Sequence, residues 1–393
     1  MRILSYNVLL ESNLSYAHTM RQTIDQLQDI YGEKVEWYYG AYETNLPMVV
    51  SREKFTYIPS KFDANMTPTN FNDIKNLIHP NLLFMHDDPQ RCLWMANVDV
   101  PTVYWLPWDN EDPRTTQLPL LDKVDRTVMV AKFAQKIAQN LGYECGQIYN
   151  PINTDVYHPD PEAGKRLKAR IGIPEDDQIL LWVGRPGWRK RLMHTIEVAA
   201  RIMKKNPKVH LMLHMDQHDP GMGYNIAEFL HAREVLGNKK VIIPGDLNYG
   251  QGYPQETMNE IYNAADIYIA TNGGEGMNLC VAEAMSCGKP FIMTDVTTTM
   301  EFAGYDVRGG DMIGPRGIGV KQALNFEDKG IIRPYVDIDD FVKKTEMLLA
   351  DKDLQHKMGK AGRLFVQKEV DYRVVGAKWK EELDKFRLNV VKV

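Results

Sequence analysis

The 393 residues are 44% hydrophobic and 25% charged, with a formal net charge of −5. That length holds two ordinary domains, and that composition is that of a folded globular chain. The acidic balance argues against a dedicated nucleic-acid binder, and no run reaches the roughly 18 apolar residues of a membrane span. Cys92, Cys145, Cys280 and Cys287 show no Cys-x-x-Cys spacing, so they read as reduced core residues rather than a metal site or a disulfide framework. A cytoplasmic location is the expectation, with peripheral membrane contact left open. The start, Met1 to Val8, reads as a first strand rather than a signal peptide.

Residues 1–150 alternate between strand-like and helix-like segments. Strands are predicted at 2–8, 34–39, 81–85, 102–106, 126–130 and 146–149, and helices at 16–30, 70–78, 89–97 and 132–141. Short apolar strands alternating with helices indicate a parallel sheet covered on both faces. Ligands of such sheets bind beyond the carboxyl ends of the strands, which singles out the loops 9–15, 86–90 and 107–114. The first loop lacks the glycine pair of a dinucleotide fingerprint, so it supports no cofactor assignment. The second holds His86 as a candidate acid–base group, with Asp88 before Pro89 reading as a helix cap. The third, Pro107-Trp108-Asp109-Asn110-Glu111-Asp112, offers Asp109 to a ligand; a solvated turn is the competing reading.

Residues 150–178 carry Pro151, Pro159, Pro161, Gly164, Gly172 and Pro174 and read as an interdomain linker. A second alternating unit follows. Its strands are predicted at 179–183, 209–213, 241–243, 267–270 and 291–294, and its helices at 191–205, 225–236, 256–264, 279–287, 339–350 and 354–366. The last pattern, 372–388, places Val374, Val375, Trp379, Leu383 and Phe386 at helical spacing. It is expected to return to the first domain.

Two turns of the second unit carry chemistry. Strand 179–183 runs into Gly184-Arg185-Pro186-Gly187-Trp188-Arg189-Lys190-Arg191. Arg185 and Lys190 are positioned to converge on one diphosphate, the fork of Arg taking two oxygens and Lys adding a point charge. Taken alone, a solvated basic turn is the simpler reading. The stretch 271–290, Thr-Asn-Gly-Gly-Glu-Gly-Met-Asn-Leu-Cys-Val-Ala-Glu-Ala-Met-Ser-Cys-Gly-Lys-Pro, reads as a glycine-rich turn feeding a helix N-terminus, which suits an anion. Glu275 lies in the turn and Glu283 inside an otherwise apolar helix. A buried carboxylate needs partners, and sugar hydroxyls are good ones; the alternative is a solvated stripe made by Glu283 and Ser286.

Gly184-Arg185 with Lys190, then Glu275 and Glu283 in a strand–turn–helix, resembles the retaining glycosyltransferases of family 4 (glycosyl transferases group 1). The likeness extends to Pro151-Ile152-Asn153-Thr154-Asp155-Val156-Tyr157-His158-Pro159, to Ile261-Tyr262-Asn263-Ala264-Ala265-Asp266, and to Ala282-Glu283-Ala284-Met285 with Gly288-Lys289-Pro290. It covers about 126–305. The chain departs from the family in three places. Pro107 stands near the family's first-domain histidine position, the glycine-rich loop after the first strand is missing, and Thr297-Thr298-Thr299 replaces a glycine pair before Glu301.

The resemblance implies an α/β chain with two Rossmann-like doubly wound domains facing across a cleft, the GT-B fold. The first domain would span 1–160 together with a helix at about 370–393, and the donor domain 161–369. The function implied is transfer of a sugar from a nucleotide-diphosphate sugar to an acceptor hydroxyl with retention. A nucleotide-sugar epimerase or hydrolase, or a non-catalytic nucleotide-sugar or glycan binder, are the alternatives. The catalytic candidates are Glu275, Arg185, Lys190, His86 and Asp109. The donor would be held by Gly184, Arg185, Lys190, Gly245, Asp246, Gly274, Glu275, Gly276, Met277, Asn278, Leu279 and Glu283. Neither metal nor cofactor is expected beyond the donor itself. Asp337-x-Asp339 and Asp351-x-Asp353 read as helix caps and surface acids. The acceptor stays open among glycan, lipid, protein and a modified nucleic-acid base.

Overall fold

A computed structural model describes residues 1–12, 14–42, 49–112, 118–216, 225–234, 240–243, 252–309, 312–328 and 331–390. The chain divides into two compact units, Met1–Pro151 with Glu369–Val393, and Ile152–Lys368.

The first unit runs β1 (Arg2–Asn7), α1 (Ser15–Tyr31), β2 (Glu36–Ala41), β3 (Val50–Ser51), β4 (Thr56–Tyr57), α2 (Phe71–Ile78), β5 (Leu82–Met85), α3 (Pro89–Cys92), β6 (Thr102–Leu106), α4 (Leu118–Leu121), β7 (Arg126–Met129), α5 (Lys132–Asn140) and β8 (Gly146–Gln147). The strands form one sheet in the order β3-β4-β2-β1-β5-β6-β7-β8. All pairs are parallel except β3 with β4. Every residue of β5 and β6 is buried, as expected of strands covered on both faces. The short pair β3 and β4 at the sheet edge has too little apolar pattern to be read from sequence.

The second unit runs α6 (Pro161–Arg170), β9 (Gln178–Val183), α7 (Leu192–Lys205), β10 (Val209–His214), α8 (Ile226–Ala232), β11 (Val241–Ile242), α9 (Gln255–Ala264), β12 (Ile267–Ala270), α10 (Leu279–Ser286), β13 (Phe291–Thr294), α11 (Thr299–Ala303), β14 (Gly317–Val320), β15 (Gln322–Asp328), β16 (Ile331–Val336), α12 (Ile338–Ala350) and α13 (Lys352–Glu369). Its main sheet has the order β11-β10-β9-β12-β13-β14, all parallel. β15 and β16 pair antiparallel as a separate ribbon. Helix α7 buries Leu192, Thr195, Ile196, Ala199 and Ile202 on the sheet side, the spacing of an amphipathic helix.

Two expectations need correction. The stretch 150–178 is not a bare linker. Asp160 caps α6 by accepting from the amide of Ala163 at 3.0 Å, and Pro161 sits in the first turn, where its missing N–H costs nothing. Proline here starts a helix instead of marking a loop. Asp88 stands before α3 but makes no side-chain cap bond; its carboxylate instead accepts from the Tyr16 hydroxyl at 2.8 Å. The two Asp-x-Asp sequences do sit at helix starts, Asp337 accepting from the amide of Asp340 at 3.0 Å and Asp351 from that of Leu354 at 2.8 Å.

The last helix, α14 (Tyr372–Val390), belongs to the first unit. Trp379 is fully buried and meets Phe84 and Trp105 edge-on, with ring centroids 4.8 and 5.0 Å away. The Tyr31 hydroxyl donates to Asp384 at 2.8 Å, and Arg126 pairs with Glu382.

Candidate active site

In the second unit, two loops leave the carboxyl ends of neighbouring strands, β9 and β12. The first turns through a single 3₁₀ turn, Trp188–Lys190. The second is Thr271–Asn278, and it is buried throughout. Gly274 holds φ at 138°, which a side chain would resist. A Cβ on Gly273 would press on the Pro334 carbonyl oxygen at 3.3 Å, so glycine lets β16 close over the loop.

Glu275 joins the two loops. Its carboxylate is 2.7 Å from Arg189 Nη1 and 2.6 Å from Lys190 Nζ. Arg189 also donates to the Gly274 carbonyl at 2.5 Å, and its own carbonyl accepts from the amide of Gly273 at 2.8 Å. Burial raises the Glu275 carboxyl, but Arg189 and Lys190 outweigh it and hold the group below the usual carboxylate range. It is therefore a fixed anion at neutral pH. The amide of Glu275 donates to the Thr297 hydroxyl at 3.0 Å, so the threonine that stands in place of a glycine braces this turn.

Helix α10 starts directly after the turn. Asn278 caps it, accepting from the amide of Val281 at 3.3 Å. The first-turn amides have no acceptor inside the helix and carry its positive end. One turn on, Glu283 accepts from the Tyr262 hydroxyl at 2.5 Å. Burial pushes the Glu283 carboxyl up to about 7, against the hydrogen bonds of Tyr262 and Tyr157. Arg363 anchors Tyr157 to α10, donating to the Tyr157 carbonyl at 2.5 Å and to the Ser286 carbonyl at 2.8 Å. The segment that runs through Thr154 and Tyr157 is thus tied to α10 by Arg363.

Of the donor-binding candidates, the structure gathers Lys190, Gly274, Glu275, Gly276, Met277, Asn278, Leu279 and Glu283 around the second loop and α10. Gly184 and Arg185 lie at the end of β9, with Arg185 exposed. Gly245 and Asp246 lie outside the described residues. Arg189 was missed by sequence reasoning, although it stood in the basic turn. Nothing in a run of four cations says which will meet a carboxylate 86 positions later. The ribbon was also missed. Arg333 on β16 donates to the Gly273 carbonyl at 3.3 Å, and the Arg191 guanidinium lies 4.0 Å from the Phe326 ring centroid and 4.6 Å from that of Tyr335. Asn272 is fully buried, and among the described residues its side-chain amide has no hydrogen-bond partner.

His86 and Asp109 belong to the first unit. His86 follows β5 and is buried. Its Nδ1 is 2.8 Å from the Trp105 carbonyl, so Nδ1 carries the proton and Nε2 a lone pair. Burial drives the imidazole down to about 4; it is neutral at physiological pH and a weak base. Asp87, which sequence reasoning passed over, is fully buried, and burial pushes its carboxyl up to about 7. Arg91 lies 3.6 Å from it. Asp109 is half-buried, and its carboxylate accepts from the Asn110 side-chain amide at 3.3 Å. Among the described residues, no group of three or more His, Cys, Asp and Glu side chains is placed to hold a metal ion, and no helix is long and apolar enough to cross a membrane.

Residues 177–351 match the family model of glycosyl transferases group 1. The match falls within the second unit, which is therefore similar to a glycosyl transferases group 1 domain. The matched segment includes both loops, α10 and the β15–β16 ribbon, and ends just past α12. Curated relatives of this domain include a putative glycosyltransferase EpsD of Bacillus subtilis, 24% identical over 54% of this chain and 47% of that protein. A D-inositol 3-phosphate glycosyltransferase of Corynebacterium jeikeium is 23% identical over 64% of this chain and 56% of its own. The chain thus spans about half the length of the curated relatives it matches. Among solved structures, a sucrose-phosphate synthase of Thermosynechococcus elongatus superposes with a TM-score of 0.76 at 15% identity, covering 99% of this chain and 100% of that one. Anabaena HepE, solved with UDP and glucose, gives a TM-score of 0.71 at 14% identity, covering 98% and 100%. These likenesses show the fold: two Rossmann-like units of the GT-B class.

Proposed function

We propose that this protein is a nucleotide-sugar-dependent glycosyltransferase that passes a sugar to an acceptor hydroxyl with retention of configuration. The observation that carries the reading is the pairing of Glu275 with Arg189 and Lys190, which fixes two cations and one carboxylate beside the start of α10. As the glycosidic bond of the donor breaks, negative charge builds on the diphosphate. Lys190, Arg189 and the amides at the start of α10 offset that charge, with Arg185 at the exposed rim. Fixed donors in a buried site need no reorganisation as the charge develops, so the reading calls for no metal. Glu275 contacts the donor sugar, and Glu283 accepts from the ribose hydroxyls. UDP in Anabaena HepE supports a uridine donor.

The first unit supplies the acceptor side in this reading. Asp109, half-buried, is the group offered to the acceptor, because the Nε2 of His86 is sealed from solvent and meets no ligand in this conformation. The acceptor is of the glycan or polyol class, which the names of the relatives support. The test is nucleotide release from a panel of sugar donors with the purified protein. Turnover is expected with one donor and is expected to fall by about 10²-fold or more in Lys190→Ala and Glu275→Ala. Undiminished turnover in both variants would sink the proposal.

A further inference from the structure

The second unit has a pocket of about 560 Å³ at the opposite edge of its sheet from the donor loops. Its floor is made by Asn263 to Asp266, just before β12, and by Cys287 to Lys289, just before β13; α6 and α13 form walls. Backbone contacts set its shape. A Cβ on Gly164 would stand 2.4 Å from the Asn263 carbonyl oxygen, and one on Gly359 1.9 Å from that of Gly288. Glycine at both places lets α6 and α13 close on the strand-leading loops.

The lining is basic in a chain of net charge −5. Lys165, Lys168, Lys289, Lys360, Arg363 and His356 line it, against the carboxylates of Glu175 and Asp266. Asp266 is already shared. Its Oδ1 lies 2.7 Å from Lys352, and its Oδ2 accepts from the amide of Ile179 at 2.9 Å with Lys168 at 3.6 Å. Lys289 donates instead to a neutral group, the Asn263 carbonyl, at 2.9 Å. Lys168 also donates to the Asp177 carbonyl at 2.6 Å but shares Asp266, and Lys165 is paired with Glu162 at 3.4 Å and Glu175 at 3.1 Å. Carbonyl acceptors fix an ammonium in place without cancelling its charge. Burial accordingly pushes the Lys289 ammonium down from its usual value. Partly desolvated cations held this way create a field that a bound anion relieves.

We propose that this pocket is a second ligand site that takes a phosphate-bearing small molecule with an organic body. Its volume falls in the range of about 300–1,000 Å³ typical of small-molecule sites, far more than a bare phosphate fills. Pro159, Pro161 and Leu364 lie beside the cations and give the organic part an apolar wall. The site goes beyond the transferase reading and does not depend on it, since no residue of the donor loops lines the pocket.

The test is calorimetric titration of glucose 1-phosphate into the full chain and three variants. Lys190→Ala removes a donor-loop cation, so binding that persists there reports the second pocket. One molecule per chain is expected to bind that variant. Affinity is expected to fall at least about tenfold in Lys165→Glu and in Lys360→Glu. Both side chains are exposed; Lys360→Glu should unfold at the parent's temperature, whereas Lys165→Glu loses its pairs with Glu162 and Glu175, so thermal unfolding certifies the fold of each before its affinity is read. The proposal is overturned if Lys190→Ala binds nothing, if the two charge reversals bind as tightly as the parent, or if sodium sulfate at the same concentration abolishes the binding, which would mark unspecific charge attraction.

Discussion

Glu275 and Glu283 stand eight positions apart on one short stretch, and burial acts on both, yet their carboxyls shift in opposite directions. Arg189 and Lys190 keep Glu275 ionised, whereas Glu283 has only hydroxyl donors and is raised to about 7. A raised carboxyl favours the folded state below its unfolded pKa of 4.5 and loses that contribution as pH rises through about 7. Glu283→Gln is therefore expected to be neutral near pH 4.5 and to stabilise the ligand-free protein at pH 8 by up to about 3 kcal/mol, while weakening nucleotide binding. Melting temperatures measured across that range check it; a destabilised variant at pH 8 would contradict the assignment. Nucleotide binding should also release a proton between pH 6 and 7, because ribose hydroxyls donating to Glu283 favour the carboxylate. Arg189, unmarked in the sequence, is expected to cost turnover as much as Lys190 does, about 10²-fold on change to Ala. A kinetic comparison of Arg189→Ala with Lys190→Ala decides it, and a near-wild-type Arg189→Ala would leave Lys190 alone on the leaving group.

At the scale of elements, strand–turn–helix units were legible because each carries a local signal. The apolar run of β12, the glycines of 273–276 and the stop at Gly288 and Pro290 lie within some 25 positions of each other. The β15–β16 ribbon was not legible. Its strands expose Leu324 and Ile332 and so break the rule that apolar residues mark the covered side. Its purpose lies in contacts with Arg191 and Gly273, more than 50 positions upstream. Helix α14 shows the reverse case. Of the predicted stripe, Val375, Trp379 and Leu383 are buried, while Val374 and Phe386 at its margins are half-buried. Removing the indole leaves a void beside Phe84 and Trp105, so Trp379→Ala is expected to destabilise the first unit by about 3–5 kcal/mol. Hydrogen exchange should show protection lost at α1, β5 and β6. Unchanged protection there would mean that α14 contributes little to that core.

At the scale of the whole molecule, the donor reading makes a prediction independent of turnover. A nucleotide diphosphate that binds only the folded protein at 100 times its Kd adds about 2.7 kcal/mol to stability. Thermal unfolding with UDP, GDP and ADP should show an upward shift of some degrees with one base, UDP by the present reading, and little with the others. The absence of a shift with all three would remove the donor site.

The sequence alone determined that two units of alternating strands and helices are present and where the glycine-rich and basic turns lie. Periodicity shows in 393 residues whether strands alternate with helices, and an anion-binding turn is a local object of glycines, a helix start and nearby charge. It also carried the return of the last helix, because an amphipathic stripe must be covered by something. Only the tertiary structure decided which cations meet Glu275, that Asp87 and not the neutral His86 titrates near pH 7, and that α6 and α13 enclose a basic pocket behind the sheet. Each of these depends on distances between residues far apart in the chain and on the loss of water around them. Composition and spacing do not record either one.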